Sequence, residues 1–204
     1  TQVRRRWMCV PMMLLALVLS ACGGTGAGSR AEQLALDMRG AYLAMTACTA
    51  SMEVTADYGS RVYDYGIDVS WEKEGDTVLT VTAPENIAGV TARLRRDAAA
   101  LEYDGIRVET GALNQQGMSP VDAVPVLLDC AREGFIAECG LETEDETQLL
   151  HIICRDPEGT AGTGQECSLW FEADTFALLR GEIAQDGFTV IRCTFTKFER
   201  TGAG

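Results

Sequence analysis

Eight cysteines and a single histidine are the most reactive side chains in this sequence of 204 residues. The cysteines are Cys9, Cys22, Cys48, Cys130, Cys139, Cys154, Cys167 and Cys193. No two have CxxC spacing and His151 stands alone, so the pattern supplies no zinc site and points to no metal or other cofactor. His151 lies in the apolar run Leu149-Leu150-His151-Ile152-Ile153. A serine hydrolase would need that histidine beside its nucleophile, but no GxSxG elbow occurs, and a histidine in an apolar strand reads as structural. Carboxylates gather at Glu142, Glu144, Asp145 and Glu146. A run of this kind reads as a solvated hairpin, with a cation site as the sharper alternative. Arg93, Arg95 and Arg96 form a small basic spot that could receive a phosphate or an acidic partner, its plainer reading being a solvated strand face. Tyr63, Tyr65, Trp71, Trp170 and Phe171 could line a groove, though sheet core is the plainer assignment. The glycine-rich stretches 23–28 and 159–164 lack the strand-to-helix setting that phosphate binding needs. No catalytic constellation emerges, and the chain reads as a non-enzyme.

The remaining reactive group is Cys22, and its neighbours give it a chemistry. Arg4, Arg5 and Arg6 precede an apolar run from Val10 to Leu19, and small residues Ser20 and Ala21 stand before the cysteine. A bilayer span needs about 20 apolar residues, so this run is too short and fits a cleavable export signal instead. The ending Leu19-Ser20-Ala21-Cys22 resembles the lipobox of bacterial lipoproteins, in which the cysteine is diacylated and becomes the mature N-terminus. The chain then divides into a signal (1–21), the lipidated cysteine with a glycine-rich tether (22–29), one domain (30–199) and a short tail (200–204). Two acyl chains anchor stably where one is marginal, which places the domain on the extracytoplasmic face of the cell membrane.

Charge narrows the partners. The formal net charge is −13; residues 1–21 hold three of the 17 basic residues and no acid, so the mature part carries −16. Such a surface argues against nucleic acid and against a broad grip on anionic headgroups. Outside the signal and Cys22, six cysteines remain, enough for three disulfides with 15 connectivities. Buried free thiols, which behave as small hydrophobes, are the competing reading, and both stay open. Cys154 and Cys167 fall on adjacent predicted strands and are the first candidates for a bridge.

The elements that must position these groups follow from periodicity. Ser29 with Glu32 reads as a capping box, opening a helix whose Leu34, Met38, Ala41, Tyr42 and Met45 share one face. The period then changes to two. Residues 50–58 alternate, Tyr63 to Trp71 alternate after the Gly59-Ser60 hairpin, and Thr77 to Ala83 forms a third strand. Gly89–Arg96 and Ala100–Asp104 read as two more, and 105–118 as a mixed connector. A second helix follows, with Asp122 as N-cap, Pro125 tolerated in the first turn and Val124, Leu127, Leu128 and Ala131 as its buried stripe; Gly134 ends it. Five further strands are predicted at Phe135–Glu142, Glu146–Arg155, Glu166–Asp174, Ala177–Gln185 and Phe188–Phe198. About ten antiparallel strands must curl to hide one face. The expected architecture is therefore α+β, mostly antiparallel β: an incomplete barrel with helices over its concave side. Met38, Tyr42, Leu127 and Leu128 would line the groove between helices and sheet.

Three phrases carry a family resemblance: Ala83-Pro84-Glu85-Asn86-Ile87-Ala88-Gly89-Val90, Leu101-Glu102-Tyr103-Asp104-Gly105, and Met118-Ser119-Pro120 before the second helix. Together with the element order over residues 30–199, they resemble the clostridial germination lipoproteins of GerS type, within the LolA/LolB-like class of lipoprotein-sorting proteins. The class implies a half-barrel whose groove takes acyl chains. The germination members imply a non-enzymatic partner of a cortex-modifying zinc amidase during spore formation. Two functions are thus expected in competition: partner or regulator of an envelope or spore-cortex enzyme, and carrier of an acyl chain or lipoprotein. Exposed edge strands could also pair two copies as a dimer.

Overall fold

The computed structural model describes residues 25–95, 98–110 and 117–202. The signal, Cys22 and Arg96 lie outside the described residues. Helix α1 (Thr25–Ala44) leads into β1 (Met45–Asp57), β2 (Val62–Glu72), β3 (Thr77–Ala83), a 3-10 turn (Glu85–Ile87), β4 (Thr91–Leu94), β5 (Ala99–Tyr103) and β6 (Ile106–Glu109). Helix α2 (Ala123–Glu133) precedes β7 (Ile136–Glu144), β8 (Thr147–Arg155), β9 (Gln165–Glu172), β10 (Leu178–Gln185) and β11 (Phe188–Gly202). All eleven strands form one unclosed antiparallel sheet in the order β6-β5-β4-β3-β2-β1-β11-β10-β9-β8-β7. Each half is a meander, and the halves are joined where β1 pairs with β11 from Met45↔Gly202 to Ala56↔Ile191. The expected curled, helix-covered antiparallel sheet is what the chain forms.

Alternation explains which face is inside. Along β1, Met45, Cys48, Ala50, Met52, Val54 and Ala56 are buried while Glu53 is exposed. Opposite residues of paired strands share a face, so Ile67 and Val69 of β2 extend that surface to Leu79 and Ala92. In the other half Leu150, Ile152, Leu169, Phe171, Ile183, Ile191 and Cys193 continue it. Helix α1 packs on α2, β7 and β8, and α2 packs on β9 and β10.

Three local readings are corrected. The predicted connector 105–118 contains β6, which adds an eleventh strand: Asp104 and Gly105 both take positive φ (49° and 76°), the turn geometry that closes a two-residue hairpin. Helix α1 begins at Thr25, four residues before the predicted Ser29 cap, so its first turn takes in residues assigned to the tether. Asp122 stands at the N-cap of α2 but does not cap it. Its Oδ1 instead accepts from the Ser119 N–H at 2.8 Å and the Ser119 hydroxyl at 2.7 Å, closing the turn before the helix.

One contact fixes how closely α2 approaches the sheet. A Cβ on Gly181 of β10 would lie 2.6 Å from Leu127 Cδ1, so the leucine occupies the space the glycine leaves. Gly181→Ala is expected to destabilise the fold by about 1–3 kcal/mol through overpacking. In a Leu127→Ala background the same change should cost far less, because the crowding methyl is gone. Urea denaturation of the four proteins of that cycle checks it; additive losses would show that the two sites do not compete for the same space.

Candidate functional site

The predicted groove is the first place to look. Met38 and Tyr42 come down from α1, and Leu127 and Leu128 from α2, each on the face its helical spacing assigns. All four are fully buried. The Tyr42 ring meets Phe171 edge-on at 5.3 Å and stacks beside Phe198 at 6.2 Å, while its hydroxyl donates to the Phe176 carbonyl at 3.0 Å. Burial raises the Tyr42 phenol well above its ordinary value, so it stays a neutral donor. With Leu127 seated over Gly181, these side chains occupy the space between helices and sheet.

The opposite limb of the sheet differs. Leu101 of β5 pairs with Ala92 on one side and Val108 of β6 on the other, so Leu101 and Val108 share the core-facing surface. Tyr103 and Ile106, two pairs further on, share it too. All four are exposed, between 40% and 66% of their surface. They lie at the sheet's β6 edge and were missed from sequence, although the alternation Ile106-Arg107-Val108-Glu109 after Asp104-Gly105 was the available signal. The other face of this limb is charged: Glu102 is held by Arg93 at 3.1 Å and by Arg107, and Arg107 also reaches Glu109 at 2.6 Å. Arg93 is thereby occupied, Arg95 pairs with Asp76, and the predicted basic spot is a set of ion pairs on a solvated face.

His151 is held in a stack on the convex face. Its ring lies 4.1 Å from the Trp170 ring at 11°, and the Arg180 guanidinium lies 3.9 Å from the same ring. Glu142 binds both rings, accepting from Trp170 Nε1 at 3.1 Å and meeting His151 Nδ1 at 2.7 Å. His151 Nε2 is buried without a hydrogen-bond partner, so no nucleophile is poised on it. Glu142 is therefore committed to the stack. Among the described residues, no three His, Cys, Asp or Glu side chains are disposed to hold a metal ion. Of the five aromatics considered for a groove, Trp71 and Phe171 are core, Trp170 belongs to the convex stack, Tyr65 is half-buried and Tyr63 is exposed.

The six described cysteines are free thiols; Cys139 is half-buried on β7, and the other five fall into two environments. Cys48 and Cys193 are core residues, each pushed up to about 12 by burial. Cys154 and Cys167 stand directly opposite across β8 and β9, the adjacent strands on which their spacing places them. They meet a third thiol, Cys130 of α2, which no sequence signal groups with them. Cys154 donates to the Cys130 carbonyl at 3.7 Å. Burial pushes Cys154 up to about 12. The three line a cleft of about 590 Å³ that also touches Gly134, Arg155 and Gly164.

These thiols give a pH dependence with a definite sign. Below pH 9 a thiol is protonated in folded and unfolded chains alike. Above it only the unfolded chain ionises until about pH 12, so stability falls as pH rises through that window. Each such thiol contributes at most about 1.4 kcal/mol per pH unit. Urea midpoints measured from pH 8 upward should drop above pH 9, and Cys193→Ala should drop less steeply than the parent; parallel slopes would remove Cys193 from the account.

No protein-family model and no curated protein matches the chain. Among solved structures, it is similar in fold to an uncharacterized conserved protein from Thermus thermophilus, with a TM-score of 0.50 and 11% identity over 85% of this chain and 89% of that one. A LolA superfamily protein from Nitrosomonas europaea matches with a TM-score of 0.41 and 11% identity, over 85% of this chain and 94% of that one. A chain of the structure of the CwlD amidase from Clostridioides difficile in complex with the GerS lipoprotein matches with a TM-score of 0.40 and 15% identity, over 82% and 94%. At these identities the likeness is one of fold.

Proposed function

We propose that this protein is a non-enzymatic lipoprotein, anchored through an acylated Cys22 on the extracytoplasmic face of the cell membrane, that acts as the partner or regulator of a cell-envelope or spore-cortex enzyme. One contrast carries the reading. Where the helices cover the sheet, Met38, Tyr42, Leu127 and Leu128 take up the space themselves; where they do not, Leu101, Tyr103, Ile106 and Val108 stand exposed at the β6 end of the sheet, an edge without a partner strand among the described residues. Exposed apolar surface of that kind is suited to a protein partner. The chemistry-bearing groups support the same reading, since His151, Glu142 and Arg93 are engaged by their own chain. A cell-wall amidase is the partner class that the sequence resemblance to the germination lipoproteins implies.

The alternative is a LolA-like carrier with an acyl chain or lipoprotein between helices and sheet. It would require those four buried side chains to part, and the fit of Leu127 over Gly181 opposes that.

The test is affinity capture of the full lipidated chain from sporulating cells in mild detergent, followed by mass spectrometry. An envelope hydrolase should co-purify. It should be lost from an Ile106→Glu/Val108→Glu variant whose circular dichroism is unchanged, because both residues are exposed. Equal capture by the variant would overturn the assignment of the surface. Native mass spectrometry of the protein domain should give the mass of the bare chain, and a stoichiometric bound lipid would replace the partner reading with the carrier one.

A further inference from the structure

We infer that the outer face of the sheet, around β7–β10, carries a binding site for a short zwitterion: a carboxylate at one end, an ammonium at the other and a methylene chain between them. The site is a cleft of about 320 Å³ whose lining includes Leu149, Trp170 and Leu179, together with Arg180 of β10 and with Glu144 and Asp145 at the β7–β8 turn. Ligand clefts begin at about this size, ~300 Å³. The charged residues lining it are those three, one cation and two acids.

Arg180 marks the anionic end of the ligand. In register it stands between Trp170 of β9 and Thr194 of β11, so neither cross-strand neighbour is a carboxylate. The acids that share its face are committed elsewhere: Glu182 to Arg192 at 2.8 Å, Glu142 to Trp170 and His151, and Glu172 to Thr175. Arg93, Arg107, Arg155 and Arg192 of the same sheet each have a carboxylate partner. Arg180, among the described residues, has the Trp170 ring at 3.9 Å and no acid, and its Nε is buried without a hydrogen-bond partner. Stacking uses the flat face of the guanidinium and leaves its in-plane N–H donors free. A buried donor left unmatched is unfavourable, and a carboxylate received in the plane of the fork would pair with it bidentately.

The acids mark the cationic end. Glu144 closes β7 in register with Thr147, two residues on from Glu142 and so on the same face, and Asp145 follows in the turn. Both are exposed, and among the described residues neither side chain makes an ion pair or a hydrogen bond. A simple cation would be repelled by Arg180 and a simple anion by the two carboxylates, and no set of three donors is disposed to hold a metal ion among the described residues. A ligand that carries both charges satisfies all three groups, and the apolar wall of Leu149, Trp170 and Leu179 matches a hydrocarbon middle. Linear amino acids with a terminal ammonium have this form, and so does a lysine-type residue at the free C-terminus of a peptide.

The experiment titrates the nitrogen-15-labelled full chain, in non-ionic detergent, with 6-aminohexanoate and follows the indole N–H resonance of Trp170, assigned with Trp170→Phe. A saturable shift is expected. Hexanoate and hexylamine should each bind more weakly by roughly fivefold or more, because each leaves one end of the cleft unmatched. Glu144→Gln/Asp145→Asn, which changes only exposed side chains, should bring 6-aminohexanoate level with hexanoate. Tighter binding of Nα-acetyl-lysine than of lysine assigns the ligand to a peptide C-terminus, and the reverse order to a free amino acid. Equal affinity for 6-aminohexanoate, hexanoate and hexylamine in the parent protein, or no shift with 6-aminohexanoate up to roughly 10 mM, would overturn the site. The cleft and the β6 edge lie at different ends of the sheet, so failure here leaves the partner reading standing, and loss of that reading leaves this one.

Discussion

The structure depends on one topological constraint: the two edges of the sheet are joined by the segment that contains α2. Because β1 pairs with β11, the first and last strands lie in the middle, and β6 and β7, consecutive in the chain, lie at opposite ends. The chain must therefore travel from one edge to the other across a face of the sheet. Buried alternation puts apolar residues on one face only, and an eleven-stranded sheet with such a face must curl around a cover. The connection and the cover are the same segment. Helix α2 meets that requirement with Ala123, Val124, Leu127, Leu128 and Ala131, all buried, and with Arg132 placed 5.4 Å over the Trp71 ring of β2.

The constraint also accounts for the unequal halves. Helix α1 runs straight into β1 and folds back over β7 and β8, so both helices lie toward the β7 side. The limb from β4 to β6 has short strands of four or five residues and keeps Leu101, Tyr103, Ile106 and Val108 in solvent. Burying side chains of that size is worth about 1.5–3 kcal/mol each. Leaving four exposed on a surface continuous with the core is thus a substantial unrealised gain, available to whatever covers that end.

Much of the fold was legible because period-two alternation survives wherever one face is buried. The third strand, Thr77–Ala83, matches its sequence pattern to the residue, and the β1 stripe Ala50, Met52, Val54 and Ala56 is buried as its spacing required. Strand β6 was passed over although Ile106-Arg107-Val108-Glu109 alternates, because the run is only four residues long and Asp104-Gly105 reads as readily as a strand end as it does as a hairpin turn. The burial of Met38, Tyr42, Leu127 and Leu128 followed from helical spacing; whether they leave a void did not. That depends on how far α2 sinks onto Gly181, a contact between residues 54 positions apart that carries no local pattern. The gathering of Cys130, Cys154 and Cys167 around one cleft escaped for the same reason.

The disposition of polar chemistry follows from the same geometry. In a one-sided sheet the covered face favours neutral groups. Cysteines enter it as small hydrophobes, and Tyr42 enters because its hydroxyl finds the Phe176 carbonyl. Most charged groups stand on the convex face and the rims, where neighbours at cross-strand distance satisfy them, and Arg132 of α2, over Trp71 on the covered face, is paired with Asp129. Arg155, nearly buried, lies between Glu138 of β7 and Glu166 of β9, 3.3 Å from the latter, and Arg93, Glu102, Arg107 and Glu109 interlock across β4–β6. His151 obeys the rule: it is on the outer face, stacked on Trp170 and tied by the Glu142 carboxylate. A catalytic centre needs polar groups converging inside a sheltered space. Here Met38, Tyr42, Leu127 and Leu128 fill the space beneath the helices, while His151, Glu142 and Arg93 are engaged on the outer face of the sheet.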